Sequence, residues 1–296
     1  MSTDETPTHP PTAPAALSGQ ATLRNARLRI SARSEQGRRA NNEDRYLALR
    51  LTRSTTPIVT NLDAADLDFV PEQIRWGLAV ADGMGGHAAG EVASTLALTM
   101  ALQLSQQGSP WYVKTGEAEA KALVERMQSI LQSVDRAIAE RSRRDSGLAG
   151  MGTTLTLAAV DGDHLFVFHV GDSRCYLLRG GTLRRLTRDQ TMTQDLVDAG
   201  LLTPEEHHTH NMRHMLTQAM GRGDIVVEVQ HLRLEHGDRL MLASDGLTDP
   251  LDDDEIQEIL VGGGCEGACR ELVERALAAG GRDNITVIVA DVELDQ

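Results

Sequence analysis

Cysteine is scarce in this chain, with three in 296 residues: Cys175, Cys265 and Cys269. So few thiols fit a reducing compartment and argue against a disulfide-stapled secreted scaffold. Cys265 and Cys269 lie one helical turn apart and are read as small packing residues, not a redox pair. Aromatic residues make up only 3% of the chain, so its core must be built mainly from Leu, Val, Ile, Ala and Met. No apolar run approaches the roughly 20 residues that a membrane helix needs. The first residues, MSTDETPTHPPTAPAALSGQ, lack both the basic start and the apolar middle of a secretory signal. A soluble, cytoplasmic protein is expected. Dense basic runs are also missing, and a net charge of −14 repels phosphate backbones, which argues against a nucleic-acid partner. The nearest candidate, RSRR at 141–144, is read as a helix end complementing the helix dipole.

What is present has a clear order along the chain. Residues 1–22 have the Pro-, Thr- and Ala-rich composition of a disordered tail, and residues 23–294 read as a single domain. Alternation from Leu28 predicts a half-buried strand, with YLAL at 46–49 as its partner. Residues 52–74 read as a long loop insertion, and helical periodicity follows over 88–107 and 117–141. Strand-like runs from Thr153, His164 and Cys175, separated by DGD at 161–163 and GG at 180–181, predict a β-meander. Residues 187–223 break the β pattern with short polar helical pieces; strands resume at Ile225 and Arg239, two helices cover about 254–279, and a strand from Asn284 closes the chain. Strands in hairpins with helices in antiparallel pairs predict an α+β fold in which antiparallel sheets pack face to face under helices.

Four acids stand at strand ends in this reading: Asp44, Asp82, Asp245 and Asp283, each beside a turn or glycine. Converging anions repel unless a cation sits among them, and hard carboxylate oxygens without nearby thiols favour Mg²⁺ or Mn²⁺ over zinc. Glycine after Asp82 is expected to serve a turn of positive φ and to leave its carbonyl open to an ion or water.

The motifs RANNED (39–44), DGMGGH (82–87), MGTT (151–154), GDSR (171–174), SDGLTD (244–249) and GRDNITV (281–287) together resemble the metal-dependent Ser/Thr protein phosphatases of the type 2C class, the PPM family, in its bacterial branch. The resemblance spans about residues 28–292 in motif order. It implies a central antiparallel β-sandwich flanked on both faces by antiparallel helix pairs, in four layers α-β-β-α. It implies two Mn²⁺ or Mg²⁺ ions bridged by Asp82 and contacted by the Gly83 carbonyl, with Asp245 and Asp283 as ligands and Glu43 and Asp44 acting directly or through water. Asp172 would hold a weaker third ion, with Asp249 near it, and Arg39 would grip the substrate phosphate.

The implied reaction is hydrolysis of phosphoserine and phosphothreonine on proteins by a hydroxide bridging the two ions, with Asp44, Asp82 and Arg39 in the catalytic set. It would oppose a Ser/Thr kinase, and a monomer is expected. The one Cys-x5-Arg spacing, Cys269 to Arg275, falls in the helical stretch of about 254–279 and forms no phosphate-cradling loop, which disfavours a thiol-based phosphatase. Met84 stands where eukaryotic members carry a His proposed as general acid, so that role is unassigned; His87 is read as opening the helix. The HHTH cluster at 207–210 falls within 187–223, where the family places a flap. Two alternatives are a regulatory module without activity, which would be marked by loss of Asp82, Asp245 or Asp283, and a two-metal nuclease, which the charge opposes.

Overall fold

The computed structural model describes residues 25–54, 72–85, 88–106 and 117–295. Among these residues the strands are β1 (Ala26–Glu35), β2 (Arg45–Ser54), β3 (Glu72–Ala81), β4 (Gly83–Met84), β5 (Gly152–Thr153), β6 (Leu155–Asp161), β7 (His164–Val170), β8 (Arg174–Arg179), β9 (Thr182–Arg185), β10 (Glu228–Arg233), β11 (Arg239–Ala243) and β12 (Ile285–Leu294). The helices are α1 (Ala88–Gln106), α2 (Glu117–Arg144), α3 (Met192–Asp198), α4 (Pro204–Thr209), α5 (Asp245–Thr248), α6 (Asp253–Val261) and α7 (Cys265–Ala278).

Strand β3 shows why the molecule is layered. Its alternating side chains are apolar on both faces: Leu78 and Val80 enter one buried cluster, Ala79 and Ala81 another. A strand apolar on both sides must be covered on both sides. Two five-stranded antiparallel sheets result, ordered β1-β12-β11-β8-β9 and β10-β7-β6-β3-β2, with β4 and β5 forming a separate pair. Leu78, Val80, Val160 and Val167 meet Leu177, Leu242, Ile288 and Ala290 between the sheets. The outer face of the second sheet packs on α1 and α2, where Met127, Ile130, Leu131, Val134 and Ile138 form one apolar stripe at helical spacing. On the other side, α6 and α7 cover Met241, Val287 and Val289. The four expected layers are present.

Several local expectations need correction. YLAL at 46–49 lies in β2, which pairs with β3, while β1 pairs with β12 in the other sheet. The turn between β1 and β2 therefore crosses from one sheet to the other. The insertion is shorter than 52–74, because the β2–β3 ladder runs out to Thr52↔Ile74 and Ser54↔Glu72; residues 55–71 lie outside the described residues, as do residues 1–22 of the expected tail. Extended residues Ile225 and Val227 are buried, but the strand itself begins at Glu228. Asp245 follows β11 as expected and also opens α5.

Register decides where the carboxylates go. The end of β3 lies opposite the start of β2 (Ala81↔Arg45), and the end of β11 lies opposite the starts of β8 (Ala243↔Arg174) and β12 (Ala243↔Val287). Residues 43–44, 82, 172, 245 and 283 consequently collect at one end of the sandwich.

Candidate active site

At that end opens a cleft of ≈ 550 Å³ lined by Arg39, Glu43, Asp82, Gly83, Asp172, Asp245 and Asp283, among others. The backbone of Asp82 is held from both sides. Its N–H donates to Thr154 Oγ1 at 2.9 Å, and its carbonyl accepts from Thr154 N and from Thr153 Oγ1, both at 2.8 Å. Gly83 is required for a reason other than positive φ, which Gly85 adopts instead (φ 128°). A Cβ on Gly83 would stand 2.2 Å from the carbonyl oxygen of Gly90 and 2.8 Å from that of Glu43, so only glycine lets the α1 start and the Glu43 loop close on Asp82.

The loop bearing Arg39 and Glu43 is fastened by Asn284, whose side-chain N–H groups donate to the carbonyls of Gln36 and Asn41 while its oxygen accepts from Glu43 N. Arg39 forms an ion pair with Asp283 at the cleft rim. That pair, countered by partial burial, raises the Arg39 pKa. Asp44 sits behind the cleft lining, 2% exposed, with Oδ2 accepting from Ser244 Oγ at 2.7 Å.

Electrostatics mark this cluster as built for a cation. Burial, and then the charges of Asp44, Asp245 and Asp172, push Asp82 well above the usual carboxylate range. Burial, and then Asp172, Asp249 and Asp283, do the same to Asp245. Asp172 rises to about 7, chiefly by burial and then by Asp189 and Asp249, against the pull of Arg174. Burial raises Asp44 to about 6, against the hydrogen bond from Ser244. Asp44 Oδ1 and Asp245 Oδ1 are buried without a hydrogen-bond partner. Convergent, proton-retaining carboxylates with orphaned oxygens fit hard divalent cations, which would replace the protons and satisfy the oxygens.

The structure thus gathers Arg39, Glu43, Asp82, Gly83, Asp172, Asp245 and Asp283 in one cleft, with Asp44 in a row behind. Sequence reading did not single out His214, whose Nδ1 lies 3.8 Å from Asp245 Oδ2 and whose Nε2 lies 3.5 Å from Asp249 Oδ2. No local pattern marks it; tertiary folding brings it in, as Met192 N donates to Met215 O and Thr191 bridges Leu216. Thr154 and Asn284 were also missed as site residues, although both lie inside recognised motifs. The HHTH cluster at 207–210 overlaps α4 and is absent from the cleft lining; His87 lies outside the described residues. Burial pushes the Cys175 thiol up to about 12, which leaves it without nucleophilic character.

A profile of the family described as protein phosphatase 2C matches residues 60–280. The serine/threonine protein phosphatase PstP of Mycobacterium tuberculosis is 38% identical over 267 residues, which cover 90% of this chain and 45% of PstP. This chain therefore spans less than half of that relative. The serine/threonine phosphatase stp of Listeria monocytogenes is 34% identical over 219 residues, covering 73% of this chain and 84% of stp. A crystal structure of the PstP catalytic domain in complex with two manganese ions superimposes with a TM-score of 0.71 at 36% identity, covering 91% of this chain and all of that one.

Proposed function

Because this chain belongs to the protein phosphatase 2C family, we propose that it is a metal-dependent protein phosphatase that hydrolyses phosphoserine and phosphothreonine on proteins and opposes a Ser/Thr kinase. The observation that carries this reading is the convergence of Asp82, Asp172, Asp245 and Asp283 in one cleft with Arg39 at its rim. Asp82, the Gly83 carbonyl, Asp245 and Asp283 would hold two Mn²⁺ or Mg²⁺ ions, with Glu43 and Asp44 supporting them and Asp172 and Asp249 holding a third. When bound, such ions acidify a water toward neutral pH and offset charge developing on the phosphoryl oxygens.

The chain's own residues do the rest. Arg39, tied on one side to Asp283, presents its remaining N–H donors to the substrate phosphate and fixes phosphorus over Asp82. Thr153 and Thr154 hold the Asp82 backbone so that its carboxylate needs no reorganisation when ions and substrate arrive. Asp44, behind the cleft, adds negative charge that draws cations toward Asp82. Met84 in the cleft wall carries no proton for the leaving alcohol. A covalent phosphoenzyme on cysteine is disfavoured, since Cys175 and Cys269 are buried.

The decisive assay measures phosphate release from a phosphothreonine peptide with Mn²⁺, with Mg²⁺ and with excess EDTA. Metal-dependent release that survives thiol alkylation is expected. No release with either metal, from protein shown to be folded, would sink the enzymatic reading and favour the regulatory module.

A further inference from the structure

Strand β7 is buried along its whole length, yet it places an imidazole, His169, where an apolar side chain would pack with less demand for partners. The ring meets two groups. Nδ1 lies 2.8 Å from Thr156 Oγ1, its cross-strand neighbour on β6, and Nε2 lies 3.0 Å from the carbonyl oxygen of Arg188. Arg188 opens the root of the expected flap segment. Its N–H donates to Glu228 Oε2 at 3.3 Å, and Glu228 is the β10 residue paired with His169, so two cross-strand partners grip one flap-root residue from both of its backbone groups.

The next two residues dock beside it. Asp189 makes a buried two-pronged pair with Arg174, and Gln190 exchanges hydrogen bonds with Gly171 in both directions at 2.8 Å. Residues 171–174 are the turn that carries Asp172. Gly171 (φ 111°) packs on Thr154 so closely that a Cβ would stand 2.6 Å from its methyl. Thr156 Oγ1 donates to Ser173 O at 2.8 Å, and Ser173 Oγ bonds Thr154 Oγ1 at 2.7 Å, the same oxygen that accepts from Asp82 N. An unbroken buried chain therefore runs from the flap root through His169, Thr156, Ser173 and Thr154 to Asp82.

We propose that His169 is a positioning residue that couples the root of the flap segment to the turn bearing Asp172, and through it to Asp82. Hydrogen counting gives the coupling its character. Thr156 has one hydroxyl proton, and if it goes to Ser173 O, then Nδ1 must donate to Thr156. Arg188 O also requires a donor, from Nε2. Burial lowers the His169 pKa against the charges of Glu228 and Asp189, so the neutral ring has one N–H for two claims. Its tautomer then selects whether the flap root or the Ser173 carbonyl receives the proton.

The test uses the full chain with Mn²⁺ and two near-isosteric variants. His169→Gln keeps an N–H donor at the Nε2 position, within reach of Arg188 O; His169→Asn keeps one only at the Nδ1 position. Amide exchange across residues 190–217 should rise about tenfold in His169→Asn and stay within about twofold of wild type in His169→Gln, with β6 and β7 amides unchanged in both. KM for a phosphothreonine peptide should rise in His169→Asn and be rescued in His169→Gln. Equal exchange in the two variants, or a rise spread over β6 and β7, would reduce His169 to core packing and overturn the coupling. Should His169→Asn fail to fold, Thr156→Val removes the hydroxyl at constant shape; unchanged flap exchange there also overturns it. The KM arm rests on the phosphatase reading, whereas the exchange arm does not, so an inactive but folded wild type fails that reading alone.

Discussion

The proposed function gives Asp82 and Arg39 different work at the same phosphate, and single substitutions would separate them. Asp82→Asn removes the charge that would bridge two cations; Mn²⁺-dependent turnover should disappear while circular dichroism stays native. In the metal-free state the same change removes a carboxyl that burial, and then the charges of Asp44, Asp245 and Asp172, make costly to ionise, so Tm in EDTA should rise above wild type. Retained turnover would refute the bridging role. Arg39→Ala removes the charged donor proposed for the phosphate, and KM should rise by roughly 10- to 100-fold, the equivalent of about one charged hydrogen bond, with kcat changing less. An unchanged KM would remove Arg39 from the phosphate site. Arg39 was reached only through the family resemblance of its motif, whereas Asp82 was legible in sequence because it stands directly beside a strand end and a turn. His214 was not, because nothing within ten residues of it says that the chain folds back over Asp245 and Asp249.

At the scale of elements, the segment between β9 and β10 is pinned at both ends. Its root rests on the Arg174–Asp189 pair, where burial would raise Asp189 but the guanidinium outweighs it and holds the carboxyl below its ordinary value. Its far end rests on Asp135 of α2, 1% exposed, whose Oδ1 accepts from Gly221 N at 2.7 Å and Gly223 N at 3.1 Å. Asp135→Ala removes the buried carboxylate that holds both N–H groups and should cost about 1–3 kcal/mol in urea unfolding. A loss below about 0.5 kcal/mol would show that solvent replaces the carboxylate. Helices α1, α2, α6 and α7 were readable from their 3.6-residue periodicity, and β6 to β8 from turn signals. The pairing of β2 was not, since alternation states that a strand exists and is silent about its neighbour.

For the whole molecule, the acidic cluster makes stability depend on pH and metal together. Asp44 and Asp172 move from an ordinary 3.8 to about 6 and about 7 in the fold. These two acids then bind more protons in the folded protein than in the unfolded chain over that interval, so their contribution to metal-free stability is full below about pH 4 and is lost as pH rises to about 7. Mn²⁺ needs the deprotonated ligands and should reverse the trend, with its stabilisation growing as pH rises. Melting curves at about pH 5 and about pH 7.5, in EDTA and in Mn²⁺, check both signs. A Tm in EDTA that rises with pH would contradict the placement of these acids. Among the described residues no helix is long and apolar enough to cross a membrane.

What the sequence by itself determined is the local part: where most of the strands and helices lie, and that Asp44, Asp82, Asp245 and Asp283 sit at strand ends. Each of these follows from neighbours within a few residues, where periodicity and turn chemistry act. Only the tertiary structure decided that β1 and β2 lie in different sheets, that Asp44 lies behind the cleft while Asp82 lines it, that His214 reaches Asp245 and Asp249, and that His169 and Asp135 hold the two ends of the segment between β9 and β10. Those outcomes depend on strand register and on contacts between residues far apart in the chain, which no local pattern encodes.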